Sequence, residues 1–148
     1  MEDGRKHLRL GPMPYVIASV LVAGGFVGIP RLTPGGSIQA KDQWTQAMVA
    51  PNGPLGKSLE AYKWDMGEHP NTKSGLAALF APRGSGGARY KGPYLEGTLD
   101  DFKDPWGNPY EYRCPGLKSD QGYDLWSRGP DGVNDDGKAG SDDIKNWK

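Results

Sequence analysis

The chain has 148 residues and a formal net charge of zero, with 18 basic residues against 18 acidic ones. That balance gives no electrostatic basis for a nucleic-acid partner. A single cysteine, Cys114, excludes an intramolecular disulfide and a cysteine-based zinc site within one chain, and two histidines, His7 and His69, leave almost no material for a His-dependent triad.

Gly 23 and Pro 13 assign much of the chain to turns and loops. Five Trp and seven Tyr supply enough aromatic surface for a core and argue against wholesale disorder. Cys114 reads as a small buried apolar residue rather than a reactive thiol.

The N-terminus divides sharply. Arg5, Lys6, His7 and Arg9 come first, and residues 10–30 then carry no charge. The most apolar part is short for a bilayer span, which needs about 20 residues, but the whole uncharged run reaches that length. A single-pass inner-membrane anchor is the expected reading, with a cleaved secretory signal as its alternative. The basic flank would stay in the cytoplasm, which places the rest of the chain in the periplasm. The expected organisation is a basic N-terminus and anchor over residues 1–32, a stem over 33–54 and a globular domain over 55–148.

Residues 37–50 have helical character, with Ile38, Trp44, Ala47 and Met48 toward one face. Pro51, Gly53 and Pro54 break that helix. A second helix is expected over residues 55–66, with Leu55, Leu59, Tyr62 and Met66 along one stripe and Gly67 as its C-cap. A third, short helix is expected in "NTKSGLAALF", capped by Asn71 or Thr72, with Leu76, Leu79 and Phe80 inward.

Beyond Ala81 no period organises the chain until residues 110–114, which read as a strand. "GYDLWSRG" reads as a second strand, with Tyr123, Leu125 and Ser127 on one face and Asp124 and Trp126 on the other. "PGLKSDQG" has the composition of the loop joining them. In "DPWGNPY", Asp104 is placed as a turn cap rather than a general base, and Trp106 and Tyr110 as residues that fix the turn against the sheet. No nucleophile–base pair and no phosphate-binding glycine loop stands out, so no enzyme is expected.

The last segment, "SRGPDGVNDDGKAGSDDI", gathers Asp131, Asp135, Asp136, Asp142 and Asp143 among glycines. Like charges at this density repel unless a cation collects them; otherwise the segment is a solvated acidic turn. The donors are hard oxygens with no sulfur or imidazole, a set that suits calcium better than magnesium. Aligned to an EF-hand loop, Asn134, Asp136, Gly137 and Asp143 fall at the third, fifth, sixth and twelfth positions. Gly132 at the first position and the lack of a preceding helix exclude that motif.

Three stretches, "YKWDMGEHPNTKSGLAALF", "YLEGTLDDFKDPWGNPYEY" and "GYDLWSRGPDGVNDDGKAGSDDIKNW", together resemble the major pseudopilin of type II secretion systems, within the type IV pilin-like superfamily. The resemblance runs from about residue 61 to 147, and "DPWGNPYEY" is its most specific part. It implies an α+β, pilin-like fold: a partly transmembrane N-terminal helix packed on a small antiparallel sheet with a C-terminal calcium-binding loop. It implies a Ca2+ site formed by the side chains of Asp131, Asp142 and Asp143 and the backbone carbonyl of Arg128, with Asn134 and Asp136 as further candidates. It implies a structural subunit that assembles with copies of itself and other secretion components into a periplasmic filament, the alternative being a membrane-tethered calcium-binding module that does not polymerise. The sequence departs from the family's leader: Pro12 follows Gly11, and Val16 stands where the family has Glu.

Overall fold

In a computed structural model, residues 36–148 are described. The expected membrane anchor lies outside them. Among the described residues, no helix is long and apolar enough to cross a membrane.

Two α-helices meet at the proline–glycine break. α1 spans Ile38–Val49 and starts at Ser37, whose side chain accepts from the Ala40 amide. It stops at Ala50, which is extended (φ −56°, ψ 145°), as a residue preceding proline must be. α2 spans Pro54–Met66, with Gly53 as its N-cap and Pro54 at the first turn, where a missing N–H costs nothing. It ends at Gly67, which adopts the left-handed conformation (φ 92°) and donates its amide to the Lys63 carbonyl at 2.7 Å. The third expected helix is a single 3-10 element over Gly75–Leu79. Neither expected cap, Asn71 or Thr72, is its N-cap: that position is Ser74, which makes no side-chain cap hydrogen bond, and Asn71 Oδ1 instead closes the preceding turn by accepting from the Ser74 amide at 2.9 Å. Thr72 instead ties this region to the sheet: its hydroxyl donates to the Cys114 carbonyl at 2.8 Å and accepts from the Cys114 amide at 2.9 Å.

The sheet has three short antiparallel strands in the order β1 (Glu111–Arg113), β2 (Asp124–Ser127), β3 (Ile144–Lys145). Tyr112 lies opposite Leu125, Arg113 opposite Asp124, and Ser127 opposite Ile144. β3 was not anticipated, because two residues are too few to show a period.

α1 packs on α2, β2 and β3, so it shares one core with the rest of the domain. Its buried residues are Thr45, Met48 and Val49, an i, i+3, i+4 arc, rather than the expected Ile38 and Ala47. Ile38 lies two turns N-terminal to that arc and is exposed. Leu55 and Leu59 of α2, Leu76 and Leu79, and Tyr123 and Leu125 complete the centre, with Tyr90, Tyr94, Phe102 and Tyr110 closing it from the loops. Both faces of β2 are buried. The face of Asp124 and Trp126 is covered by the β1–β2 loop, by Arg113 and by Trp147. Cys114 packs against this core but is only half-buried, more open than the buried residue expected.

Candidate metal centre

The Asp-rich loop begins where β2 ends, and the "DPWGN" turn positions that entry. Asp104 is 1% exposed and accepts four hydrogen bonds. Its Oδ1 accepts from the amides of Trp106 (3.0 Å) and Asn108 (2.8 Å). Its Oδ2 accepts from the Ser127 hydroxyl (2.6 Å) and Asn108 Nδ2 (3.3 Å). Asp104 is therefore the turn cap the sequence suggests. Ser127 Oγ in turn accepts from the Gly129 amide at 3.1 Å, and Asn108 Nδ2 donates to the Gly129 carbonyl at 3.1 Å. The motif that carries the family resemblance thus holds the first turn of the acidic loop in place.

The six expected ligands fall into two groups. Asp131, Asp142 and Asp143 lie at one end of the loop. The Asp131 amide donates to Asp142 Oδ2 at 3.1 Å, while Asp131 Oδ1 accepts from the Val133 amide at 2.7 Å. Gly129, at φ 64°, passes so close to this pair that a Cβ there would sit 2.3 Å from the Asp142 carbonyl oxygen. Asp143 is 7% exposed. Its Oδ2 accepts from the Gly137 amide at 2.7 Å, and its Oδ1 is buried with no hydrogen-bond partner among the described residues. Burial pushes the Asp143 carboxyl up from its ordinary value; the backbone amides of Gly137 and, more weakly, Asp135 pull it part of the way back, and the charges of Asp135 and Asp142 add to the rise. The Arg128 guanidinium is turned away to Glu111, with Nε 2.8 Å from Oε1, so its backbone carbonyl is the donor it can offer a metal.

Asn134 and Asp136 face elsewhere. Asn134 Oδ1 accepts from Trp126 Nε1 at 3.1 Å and from the Asp136 amide at 3.0 Å. Asp136 Oδ1 accepts from Arg113 at 3.1 Å, and Lys118 Nζ donates to its carbonyl oxygen and lies 3.4 Å from Oδ2. Gly137 (φ 59°) is pressed under Trp147, and a Cβ there would lie 2.2 Å from the indole. Arg113, Lys118, Trp147 and Asn108 escaped the sequence reading; a lone cation outside the acidic run carries no local signal that it folds back onto it.

Among the described residues, no three His, Cys, Asp or Glu side chains already converge into a metal cage. The donor chemistry nonetheless fits a hard cation. A buried carboxylate oxygen without a partner is unfavourable unless it is protonated or meets a cation, and Asp143 Oδ1 is in that position within the field of Asp135 and Asp142.

A helix pair packed on a small antiparallel sheet, with an acidic glycine-rich loop leaving the central strand, defines a pilin-like domain. The family model of type II secretion system protein G matches residues 37–147. The chain belongs to that family. It is 34% identical to the type II secretion system core protein G of Vibrio cholerae, over 99% of this chain and 96% of that one. It is 38% identical to the Pseudomonas aeruginosa core protein G over 94 residues, and there it spans 63% of the relative's length. Among solved structures, the major pseudopilin from the type 2 secretion system of enterohaemorrhagic Escherichia coli superposes with a TM-score of 0.54 at 32% identity, covering 74% of this chain and 84% of that one.

Proposed function

We propose that the chain is a structural subunit of a type II secretion pseudopilus: a membrane-anchored protein whose described domain stands in the periplasm and stacks with copies of itself and other secretion components into a filament for protein export. The observation that carries this reading is the pilin-like domain in a chain of the protein G family. The reading is structural rather than enzymatic, and the two fully buried aspartates support it, since the accepting oxygens of Asp104 and Asp124 are taken up by the fold.

Calcium would bind the Asp131, Asp142 and Asp143 end of the loop, with the Arg128 carbonyl, and supply positive charge to the unpartnered Asp143 oxygen. The metal would fix the loop's shape rather than perform chemistry.

The break at residues 50–53 favours one alternative, a membrane-tethered calcium-binding module that does not polymerise. Expressing the full chain with its own organism's assembly proteins and imaging for filaments labelled by an antibody to this chain separates the two. Labelled filaments support the subunit; a membrane protein that stays monomeric under those conditions supports the module.

A further inference from the structure

The acidic loop carries two kinds of aspartate, and the chain's own cations explain the difference. Arg113 on β1 reaches across to both sides of the loop's base. Its Nε and NH2 donate to Asp124 Oδ2, at 3.1 and 2.6 Å, and its NH1 donates to Asp136. Lys118, from the β1–β2 loop, holds the same residue through its carbonyl oxygen. Lys145 of β3 donates to the next carbonyl, that of Gly137, at 2.9 Å. Lys118 and Lys145 both lie over the ring of Trp147, at 5.4 and 5.8 Å, and Trp147 covers Gly137. Trp126, itself 5.5 Å from the Arg113 guanidinium, anchors Asn134.

We infer that Arg113, Lys118 and Lys145 form a built-in counter-cation clamp that keeps residues 134–137 folded without metal, and that Asp136 serves this clamp rather than calcium. The inference rests on the calcium reading above for its second half only. A metal then has only the Asp131, Asp142 and Asp143 end to order. Preorganising the middle lowers the conformational cost of binding. It also sets Asp143 in place, because the Gly137 amide that the clamp immobilises is the donor to Asp143 Oδ2. Asp136 is thus a positioning residue for the site, acting through Gly137.

The test uses the purified full-length chain in chelator and in calcium, with hydrogen-exchange mass spectrometry and titration calorimetry with calcium chloride. In chelator, the amides of residues 134–137 should exchange slowly and those of 139–142 fast; calcium should slow only the second group. Asp136→Asn removes the charge while keeping a residue that tolerates the left-handed backbone seen there (φ 55°). It should speed exchange of residues 134–137 in chelator by about tenfold, as the loss of a charge-assisted hydrogen bond would. Lys118→Gln should do the same. Calcium affinity should fall in Asp136→Asn only in step with the lost order of residues 134–137, and by less than in Asp143→Asn, where a loss of about tenfold or more is expected. Equal and fast exchange of both segments in wild type in chelator overturns the clamp. A tenfold loss of calcium affinity in Asp136→Asn with exchange unaltered makes Asp136 a ligand and overturns the assignment. Absence of calcium heat in wild type defeats the calcium reading alone, and the exchange of Asp136→Asn still decides the clamp.

Discussion

The Gly137 amide donates to Asp143 Oδ2 at 2.7 Å, while Asp143 Oδ1, on the same buried carboxylate, has no hydrogen-bond partner among the described residues. One oxygen is fixed by the fold, and the other is the one a cation would meet in the calcium reading proposed above. If calcium fills that role, it stabilises the native state by mass action. Extracellular calcium sites bind with constants of about 10⁻⁴–10⁻³ M, so free calcium at ten times such a constant adds about 1.4 kcal/mol. The full chain should melt higher in calcium than in chelator. Asp143→Ala or Asp131→Ala should remove most of that difference, whereas Asp101→Ala, which only caps a distant turn with Thr98, should leave it intact. Magnesium should substitute poorly, because its octahedron tolerates a flexible carboxylate loop badly. Identical melting in calcium and in chelator would mean that the loop is held by the protein's own contacts and that calcium adds nothing to its stability.

Much of the fold was legible in the chain. Pro51 and Pro54 around Gly53 announce the break between helices, the four-three-four spacing of Leu55, Leu59, Tyr62 and Met66 announces α2, and Gly67 its end. What stayed hidden depends on tertiary contact. Alternation along β2 puts Asp124 and Trp126 on one face but does not show what covers it; Asp124 is fully buried because Arg113 and three loop amides come to it from outside the strand. The acidic loop was visible as a candidate metal segment from composition alone. The family resemblance already set Asn134 and Asp136 apart as further candidates, but the contacts of Asp136 with Arg113 and Lys118, on a hairpin earlier in the chain, carry no local signal.

Asp104 should behave as a keystone of the loop's entry. Asp104→Ala strips acceptors from the Trp106 and Asn108 amides and from the Ser127 hydroxyl. Each buried donor left unpaired costs about 1–3 kcal/mol. A loss of roughly 3 kcal/mol or more in urea unfolding is expected, along with weaker calcium binding, because Gly129 loses the support of both Ser127 and Asn108. Asp104→Ala unfolding at the wild-type midpoint would show that the turn holds without its cap.

Gly56 sits in the first turn of α2 against the end of the break. An added Cβ would approach the Pro51 carbonyl oxygen to 2.1 Å, and backbone cannot swing aside as a side-chain tip can. Although alanine is the better helix former by about 1 kcal/mol, Gly56→Ala should destabilise the domain by about 1–3 kcal/mol, the usual range for overpacking. A gain in stability would mean that the two helices are free to separate at residues 50–53, and that the break is a hinge rather than a packed corner.

Asp124 sets an acid limit on the fold. Burial alone would raise its carboxyl, but the Arg113 guanidinium and the amides of Leu117, Ser119 and Lys118 outweigh burial and hold it below the ordinary carboxylate value. The folded group therefore releases its proton more readily than the unfolded one, whose value is about 3.9. Its contribution is fully present above that value and is lost as pH falls through the lower folded one, because protonation then favours the unfolded chain. Urea midpoints measured from about pH 6 down to about pH 2 should fall more steeply below about pH 4 in wild type than in Asp124→Asn. At neutral pH the variant should be less stable by about 3–5 kcal/mol, since it leaves Arg113 half-buried without its main counter-charge. Parallel curves for the two proteins below pH 4 would mean that Asp124 carries no proton-linked stability, and that the acid limb belongs to other carboxylates, Asp65 with its Tyr94 and Lys91 partners foremost among them.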